Sequence, residues 1–143
     1  MRRAIEAARC NRSHPFGAVL VDGRQDRVVA EGVNRGGENP LWHGEIDAMN
    51  RYAAGDQEAS DWSHLHLYTT AEPCCMCQAA ILWAGVRRVV FGTSIPTLQR
   101  LGWNQIELRA REVVHRSPFA VCEVVGGVLE DECDALFEQA RRT

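Results

Sequence analysis

Apolar and polar positions alternate along the chain in short blocks of two kinds. Five apolar runs bounded by turn residues predict strands, at 16–21, 27–33, 65–70, 86–91 and 121–125. The first two runs are separated by Asp22-Gly23-Arg24, a turn sequence that predicts a hairpin.

Other segments carry apolar residues at helical spacing. They predict helices over 2–11, 43–54, 74–84 and 129–142. The polar segment 56–63 and the segment 92–104, which has two glycines and a proline, predict loops, the second with room for a helical turn. Segment 106–114 is ambiguous. Strands and helices alternate from residue 64 onward, which predicts a three-layer α/β domain with one mixed sheet.

Length and composition narrow the class of protein. The 143 residues suit one domain spanning 1–143, with 45% hydrophobic and 24% charged residues. No apolar run approaches the ~20 residues of a membrane span, and the basic start lacks the apolar core of a signal peptide. We therefore expect a cytoplasmic protein with no membrane partner. The net charge of −3 argues against a nucleic-acid partner, although a protein with a negative total charge can still carry a local basic patch.

The six cysteines are unevenly spread. They are Cys10, Cys74, Cys75, Cys77, Cys122 and Cys133. Three of them fall within four residues, which suits a metal site or a redox motif better than a disulfide framework.

Two short segments carry the chemistry. His43-Gly44-Glu45 and Pro73-Cys74-Cys75-Met76-Cys77 together match H-x-E…P-C-x-x-C, the signature of zinc-dependent deaminases. Cys74 and Cys77, three residues apart at a helix start, present both sulfurs to one side. The helix dipole there favours the thiolate form that binds metal.

His43 supplies a third predicted ligand. Two thiolates and one imidazole leave a fourth tetrahedral position for water, the pattern of catalytic zinc, which makes such water acidic. Glu45, two residues after His43, cannot share its side of the helix, but both reach a metal beyond the helix N-terminus. Glu45 is therefore the predicted catalytic residue, moving protons from water to the ring nitrogen and the leaving ammonia.

Simpler interpretations exist for each half of the motif. A lone C-x-x-C is often a redox pair or half of a structural zinc site, and a lone H-x-E carries no information. Their conjunction at two helix starts favours catalytic zinc over both. Cys75 is turned away from the site by its spacing to Cys77 and is interpreted as a packed thiol.

At these residues the chain resembles the cytidine deaminase superfamily, in particular the branch of bacterial guanine deaminases and tRNA adenosine deaminases. The similar segments are 15–21, Asn34, 43–46, 70–77, Ala80-Ile81, 89–92, 127–129 and Glu132-Cys133. The resemblance implies a three-layer α/β/α cytidine-deaminase-like domain with a central five-stranded mixed sheet. It also implies zinc as cofactor and a homodimer or larger assembly.

The resemblance also implies four substrate contacts. Asn34 would read the base edge, because an amide both donates and accepts hydrogen bonds, although a turn role is the alternative. Phe16 would stack on the base or merely pack in the core. Gly44 would offer its backbone N–H to a substrate carbonyl. Trp83 would either line the pocket or pack against its helix.

Departures from the family pattern bear on the substrate. Where the tRNA enzymes carry a Lys-Thr-Gly-Ala-Ala-Gly-Ser-like stretch, this chain has the more apolar segment 93–103, which favours a free base over RNA. Guanine is the favoured substrate; cytosine, an aminotriazine and adenosine in tRNA stay open. Glu107 is the nearest candidate for the second acid of guanine deaminases. We expect a hydrolase of C–N bonds in cyclic amidines, with a non-catalytic zinc-stabilised interaction module as the rival.

Overall fold

The computed structural model describes residues 1–55, 61–119 and 121–142, which form a sheet with helices on both sides. The strands are β1 (Gly17–Asp22), β2 (Arg27–Val33), β3 (Leu65–Ala71), β4 (Arg88–Thr93) and β5 (Glu123–Val125). The helices are α1 (Arg2–Ala8), α2 (Gly44–Ala53), α3 (Cys75–Ala84), α4 (Ile95–Arg100), α5 (Ala110–His115) and α6 (Glu130–Arg142).

The strands form one mixed five-stranded sheet in the order β2-β1-β3-β4-β5. Strand β1 is antiparallel to both of its neighbours, and β4 is parallel to both of its neighbours. A parallel pair needs a long crossover, and α3 provides it between β3 and β4. The predicted α/β fold with a five-stranded mixed sheet is confirmed.

Side-chain direction assigns the helices to two layers. Leu20, Leu67 and Val89 are aligned across three strands and pack in the main core beneath α2 and α3. On the opposite face, Gly17 lies against α1 and Gly92 lies against Cys133 of α6. Because α2 and α3 share one face, their first residues start on the same side of the sheet.

Most predicted elements are present, with shifted ends. Strand β4 begins after Val86, because the Val86 N–H binds the Ile81 carbonyl at 3.2 Å while Gly85 has φ of 83°. This is the Schellman arrangement that closes a helix, so Val86 belongs to the end of α3. The first helix ends at Ala8, three residues earlier than predicted.

The segment predicted as a loop at 92–104 contains α4. The Ser94 side chain caps it by accepting a hydrogen bond from the Thr97 N–H at 3.3 Å. The ambiguous segment 106–114 contributes the start of α5. Of the predicted loop 56–63, residues 56–60 lie outside the described residues. Among the described residues no helix is long and apolar enough to cross a membrane.

The contact between α2 and β2 gives a stability prediction at Gly32. A Cβ there would overlap the Ala48 N and the Gly44 carbonyl oxygen and come within 2.8 Å of the Ala48 Cα. We expect Gly32→Ala to lower the free energy of unfolding by about 1–3 kcal/mol, as overpacking does. Gly37→Ala is the matched control, because no atom lies within 4 Å of a Cβ built there. Urea denaturation checks both, and equal stability of the two variants would contradict the prediction.

Candidate functional site

The three predicted metal ligands meet where α2 and α3 begin. His43 and Cys74 are the N-cap residues of these helices, both with extended backbone, and Cys77 lies in the first turn of α3. The His43 Nδ1 atom is 3.5 Å from the Cys74 Sγ and 3.5 Å from the Cys77 Sγ. The three ligand atoms all lie within 4.8 Å of one another.

These distances fit a tetrahedral zinc ion. Zn–S bonds of about 2.3 Å and a Zn–N bond of about 2.05 Å at the tetrahedral angle put nitrogen about 3.6 Å from each sulfur. The donor set of one imidazole and two thiolates is also one that zinc prefers. His43, Cys74 and Cys77 would therefore hold zinc without rearrangement of the backbone.

The two ligand cysteines differ in their affinity for a proton. A hydrogen bond from the Cys77 thiol lowers the pKa of Cys74 to about 4, so Cys74 is a thiolate at neutral pH. The same hydrogen bond, followed by burial, raises the pKa of Cys77 well above its usual value. Metal binding therefore has to displace the Cys77 proton, which couples zinc affinity to pH.

Glu45 lies beside the ligands and is almost fully buried, at 4% exposure. It occupies the second position of α2, and its Oε1 accepts a hydrogen bond of 3.2 Å from the Thr69 hydroxyl. Burial, then the nearby Cys74 thiolate, raises the pKa of the Glu45 carboxyl. A carboxyl with a raised pKa can both take and give a proton near neutral pH.

A cavity of about 340 Å³ opens over this group, within the range of small-molecule sites. His43, Glu45 and Cys74 form its floor. The other lining residues are His14, Phe16, Asn34, Glu72, Gly102, Trp103, Asn104, Gln105 and Arg141. The structure thus brings two of the four predicted substrate contacts, Phe16 and Asn34, to the same cavity as the predicted proton carrier.

Asn34 has the turn role considered for it and also lies at the cavity. Its Oδ1 accepts a hydrogen bond of 3.0 Å from the Gly36 N–H, which closes a turn, while its side chain lines the cavity. The second lone pair of Oδ1 and the amide group Nδ2 can still pair with a ligand.

Phe16 packs against other aromatic rings and also lies at the cavity. Its ring contacts Trp103 and Phe137 at centroid distances of 5.3 and 4.8 Å, and it lines the cavity. The Thr70 hydroxyl donates to the Pro15 carbonyl at 3.0 Å and accepts from the Gly17 N–H at 3.1 Å. Thr70 therefore holds the backbone on both sides of Phe16.

Gly44 is buried at the first position of α2, where a backbone N–H has no acceptor within the helix. A Cβ at this position would lie 2.6 Å from the Phe16 carbonyl oxygen. The approach of Phe16 to the start of α2 thus explains why glycine stands here.

Trp83, Cys75 and Glu107 lie away from the cavity. Trp83 is 76% exposed on α3 and meets Phe119 at a centroid distance of 4.6 Å. With Cys75 it lines a separate surface depression, and within this chain Trp83 is not among the residues that line the cavity. Glu107 is exposed and is not among the residues that line the cavity.

Several cavity residues escaped sequence analysis. They are His14, Glu72, Trp103, Asn104, Gln105 and Arg141. Arg141 comes from the last helix, where its guanidinium lies 5.6 Å from the Trp103 ring centroid. No local pattern could have indicated this contact, because it depends on how α6 packs.

Glu72, in contrast, could have been identified from the sequence, because it is a charged residue between a buried strand and the cysteine motif. It is 2% exposed and accepts hydrogen bonds of 2.9 Å from the backbone N–H groups of Ile95 and Ala110. Its carboxylate also binds the Arg109 guanidinium at 2.8 Å. Glu72 therefore joins the end of β3 to the starts of α4 and α5.

Comparison with known proteins agrees with this chemistry. Residues 1–93 match the family model described as the cytidine and deoxycytidylate deaminase zinc-binding region. A probable cytosine deaminase of Schizosaccharomyces pombe is 33% identical over 141 residues, covering 92% of this chain and 84% of that protein. A tRNA-specific adenosine deaminase of Haemophilus influenzae is 34% identical over 135 residues, covering 90% of this chain and 73% of that protein.

A solved structure shows the same fold. The guanine deaminase of Nitrosomonas europaea superposes with a TM-score of 0.79 and 24% identity. The match covers 98% of this chain and 81% of the other. At this identity the likeness concerns the fold.

The ligand geometry predicts how zinc is held. Purified protein should contain close to one zinc per chain, and alanine at His43, Cys74 or Cys77 should lose it and lower the melting temperature, because zinc binding contributes to folding. Cys75→Ala is the control in the same helix turn and should keep both properties. Elemental analysis and thermal denaturation measure the two effects. Full zinc retention by Cys74→Ala would show that the ligand assignment is wrong.

Proposed function

The chain belongs to the cytidine and deoxycytidylate deaminase zinc-binding family, and from this we propose that it hydrolyses the exocyclic amino group of a free nucleobase, with guanine as substrate. At the coarser level it is a zinc-dependent deaminase of a nucleobase or nucleoside, and so a hydrolase of C–N bonds. The proposed reaction replaces the C–NH₂ group with C=O at the expense of one water and releases ammonia.

The observation that carries the proposal is the buried carboxylate of Glu45. It lies in the cavity beside His43 and Cys74 and is 4% exposed. Burying a carboxylate is costly, and a structural zinc site has no use for one at this place. A deaminase needs a proton carrier between water and the base, and Glu45 suits that role.

Zinc, when bound by His43, Cys74 and Cys77, would activate a water for attack on the amino-bearing ring carbon. Glu45 would take a proton from the attacking water and deliver it to the ring nitrogen. It would then take the remaining proton of that water from the oxygen now bonded to the ring carbon and pass it to the leaving amino group. The Thr69 hydroxyl, 3.2 Å from its Oε1, would keep the carboxylate aimed at the reacting atoms. The N–H of Gly44 would donate to a carbonyl of the substrate.

The polar cavity lining supports a base rich in hydrogen-bonding groups. The side chains of Asn34, Asn104 and Gln105 each carry both donors and acceptors. Guanine presents a carbonyl, an amino group and several ring nitrogens, so it would use this lining more fully than a smaller base. Segment 93–103, which stands where the tRNA enzymes carry a Lys-Thr-Gly-Ala-Ala-Gly-Ser-like stretch, also favours a free base over RNA.

Cytosine is the second candidate, because the relative from Schizosaccharomyces pombe is described as a probable cytosine deaminase. Adenosine in tRNA is the substrate named for the relative from Haemophilus influenzae, and it forms the third arm of the test. A homodimer stays a prediction from the family resemblance, and a cytoplasmic location stays a prediction from the sequence.

Glu45→Gln separates catalysis from scaffolding. Glutamine keeps the size of glutamate but cannot carry a proton, so turnover should fall by at least ~10²-fold, mainly in kcat. Zinc content and melting temperature should stay near those of the wild type. An interaction module built on structural zinc would instead show no change beyond a small loss of stability. A Glu45→Gln enzyme with wild-type turnover would contradict the assignment of Glu45.

Ammonia release across guanine, cytosine, adenine, their nucleosides and aminotriazines tests the substrate. We expect the highest kcat/KM with guanine and only a modest dependence on salt. An enzyme that binds several phosphates loses orders of magnitude in affinity as salt rises. Faster, steeply salt-dependent deamination of a tRNA anticodon stem-loop would contradict the free-base proposal, and a preference for cytosine would replace guanine.

A further inference from the structure

Asp47 is a buried carboxylate of α2 for which the zinc chemistry gives no role. It is 3% exposed and lies one turn after His43. Its Oδ2 accepts hydrogen bonds from the Val33 N–H at 3.1 Å and from the Arg51 Nε at 3.0 Å. Its Oδ1 is 3.4 Å from the Arg35 Nη1.

Two of these partners are the residues on either side of Asn34. The Asn34 N–H donates to the Phe16 carbonyl at 2.9 Å, toward β1. Because neighbouring N–H groups in a strand point in opposite directions, the Val33 N–H faces the free edge of β2. The Asp47 side chain, which comes from α2, accepts the hydrogen bond of this edge N–H and also contacts Arg35. One side chain thus binds the residues immediately before and after Asn34.

Arg35 extends this contact along the loop between β2 and α2. Its N–H donates to the Trp42 carbonyl at 2.8 Å, and its guanidinium lies 4.8 Å from the centroid of the Trp42 ring. The guanidinium also pairs with Glu38. Through Arg35, Asp47 is therefore connected to both ends of the loop that runs from Asn34 to His43.

We propose that Asp47 is a positioning residue that orients the Asn34 amide toward the edge of the bound base. The proposal rests on the proposed function, in which Asn34 contacts the substrate. A carboxylate that only complements the dipole of α2 would do so at the surface, where it keeps its hydration. Burial of Asp47 is costly without its partners, and two of its three partners belong to the Asn34 turn.

Asp47→Ala tests the proposal, with Arg51→Ala as the matched control. Arg51→Ala removes the helix-surface partner of Asp47 but leaves its contacts with Val33 and Arg35. For the best substrate, Asp47→Ala should raise KM by about 10-fold, as expected when one substrate hydrogen bond is weakened. Its kcat should change less than about 3-fold and its zinc content should not change, because the catalytic groups are untouched. Arg51→Ala should match the wild type.

Asp47→Asn provides a second, milder variant, since asparagine keeps one acceptor for the Val33 N–H. It should fold and give an intermediate KM. In an Asn34→Ala background, Asp47→Ala should add less than about 3-fold to KM, because coupled residues are not additive. A purely stabilising Asp47 would instead give independent, multiplicative effects in the two backgrounds, and that result would overturn the proposal.

Amide hydrogen exchange reads the same contact without turnover. In Asp47→Ala the Gly36 N–H, which binds the Asn34 Oδ1, should exchange faster, while Arg51→Ala should leave it protected. If the wild type deaminates no base, the proposed function fails, and this measurement alone decides whether Asp47 holds the Asn34 turn. Unchanged Gly36 protection in Asp47→Ala, or a fall in kcat at constant KM, would overturn the proposal.

Discussion

The structure depends on the meeting of two helix N-termini on one face of the sheet. His43 and Cys74 occupy the N-cap positions of α2 and α3, yet neither side chain caps its own helix. Both side chains point instead to the shared metal position. The acidic residues Glu45 and Asp47 in the first turn of α2 complement its dipole, and both also have other roles. The start of α2 thus lacks a side-chain cap, because the His43 side chain points to the metal position instead.

Sequence analysis identified the metal centre because spacing along a helix start determines direction. The spacing required Cys74 and Cys77 to face one way, and it placed His43 at the start of another helix. The sheet followed from the apolar runs in the same manner. Helix α4 was predicted only as room for a helical turn within a loop, because its start carries Ser94 and Pro96, residues equally typical of a loop. The Ser94 cap shows which structure forms.

The cavity beside Glu45 was predicted less completely, because several of its lining residues are brought there by long-range packing. The Trp103 indole N–H donates to the Phe137 carbonyl at 3.3 Å, and this contact with α6 brings Trp103 over Phe16. Trp83 depends on packing in the same way. Helical periodicity placed it on α3, but which side of α3 faces the cavity depends on packing that no local pattern reports.

The contacts of Glu72 allow two parts of the sequence to accumulate substitutions at different rates. Residues 1–93, which match the family model, carry the candidate zinc ligands and Glu45. Segment 102–105 lines one side of the cavity, and Glu72 holds the helices on either side of it by binding the starts of α4 and α5. Under the proposed function, substitutions within this segment would alter which base is accepted while the anchored ends keep the zinc ligands and Glu45 in place. Base specificity and the metal centre would then be parts of one domain that can be mutated separately.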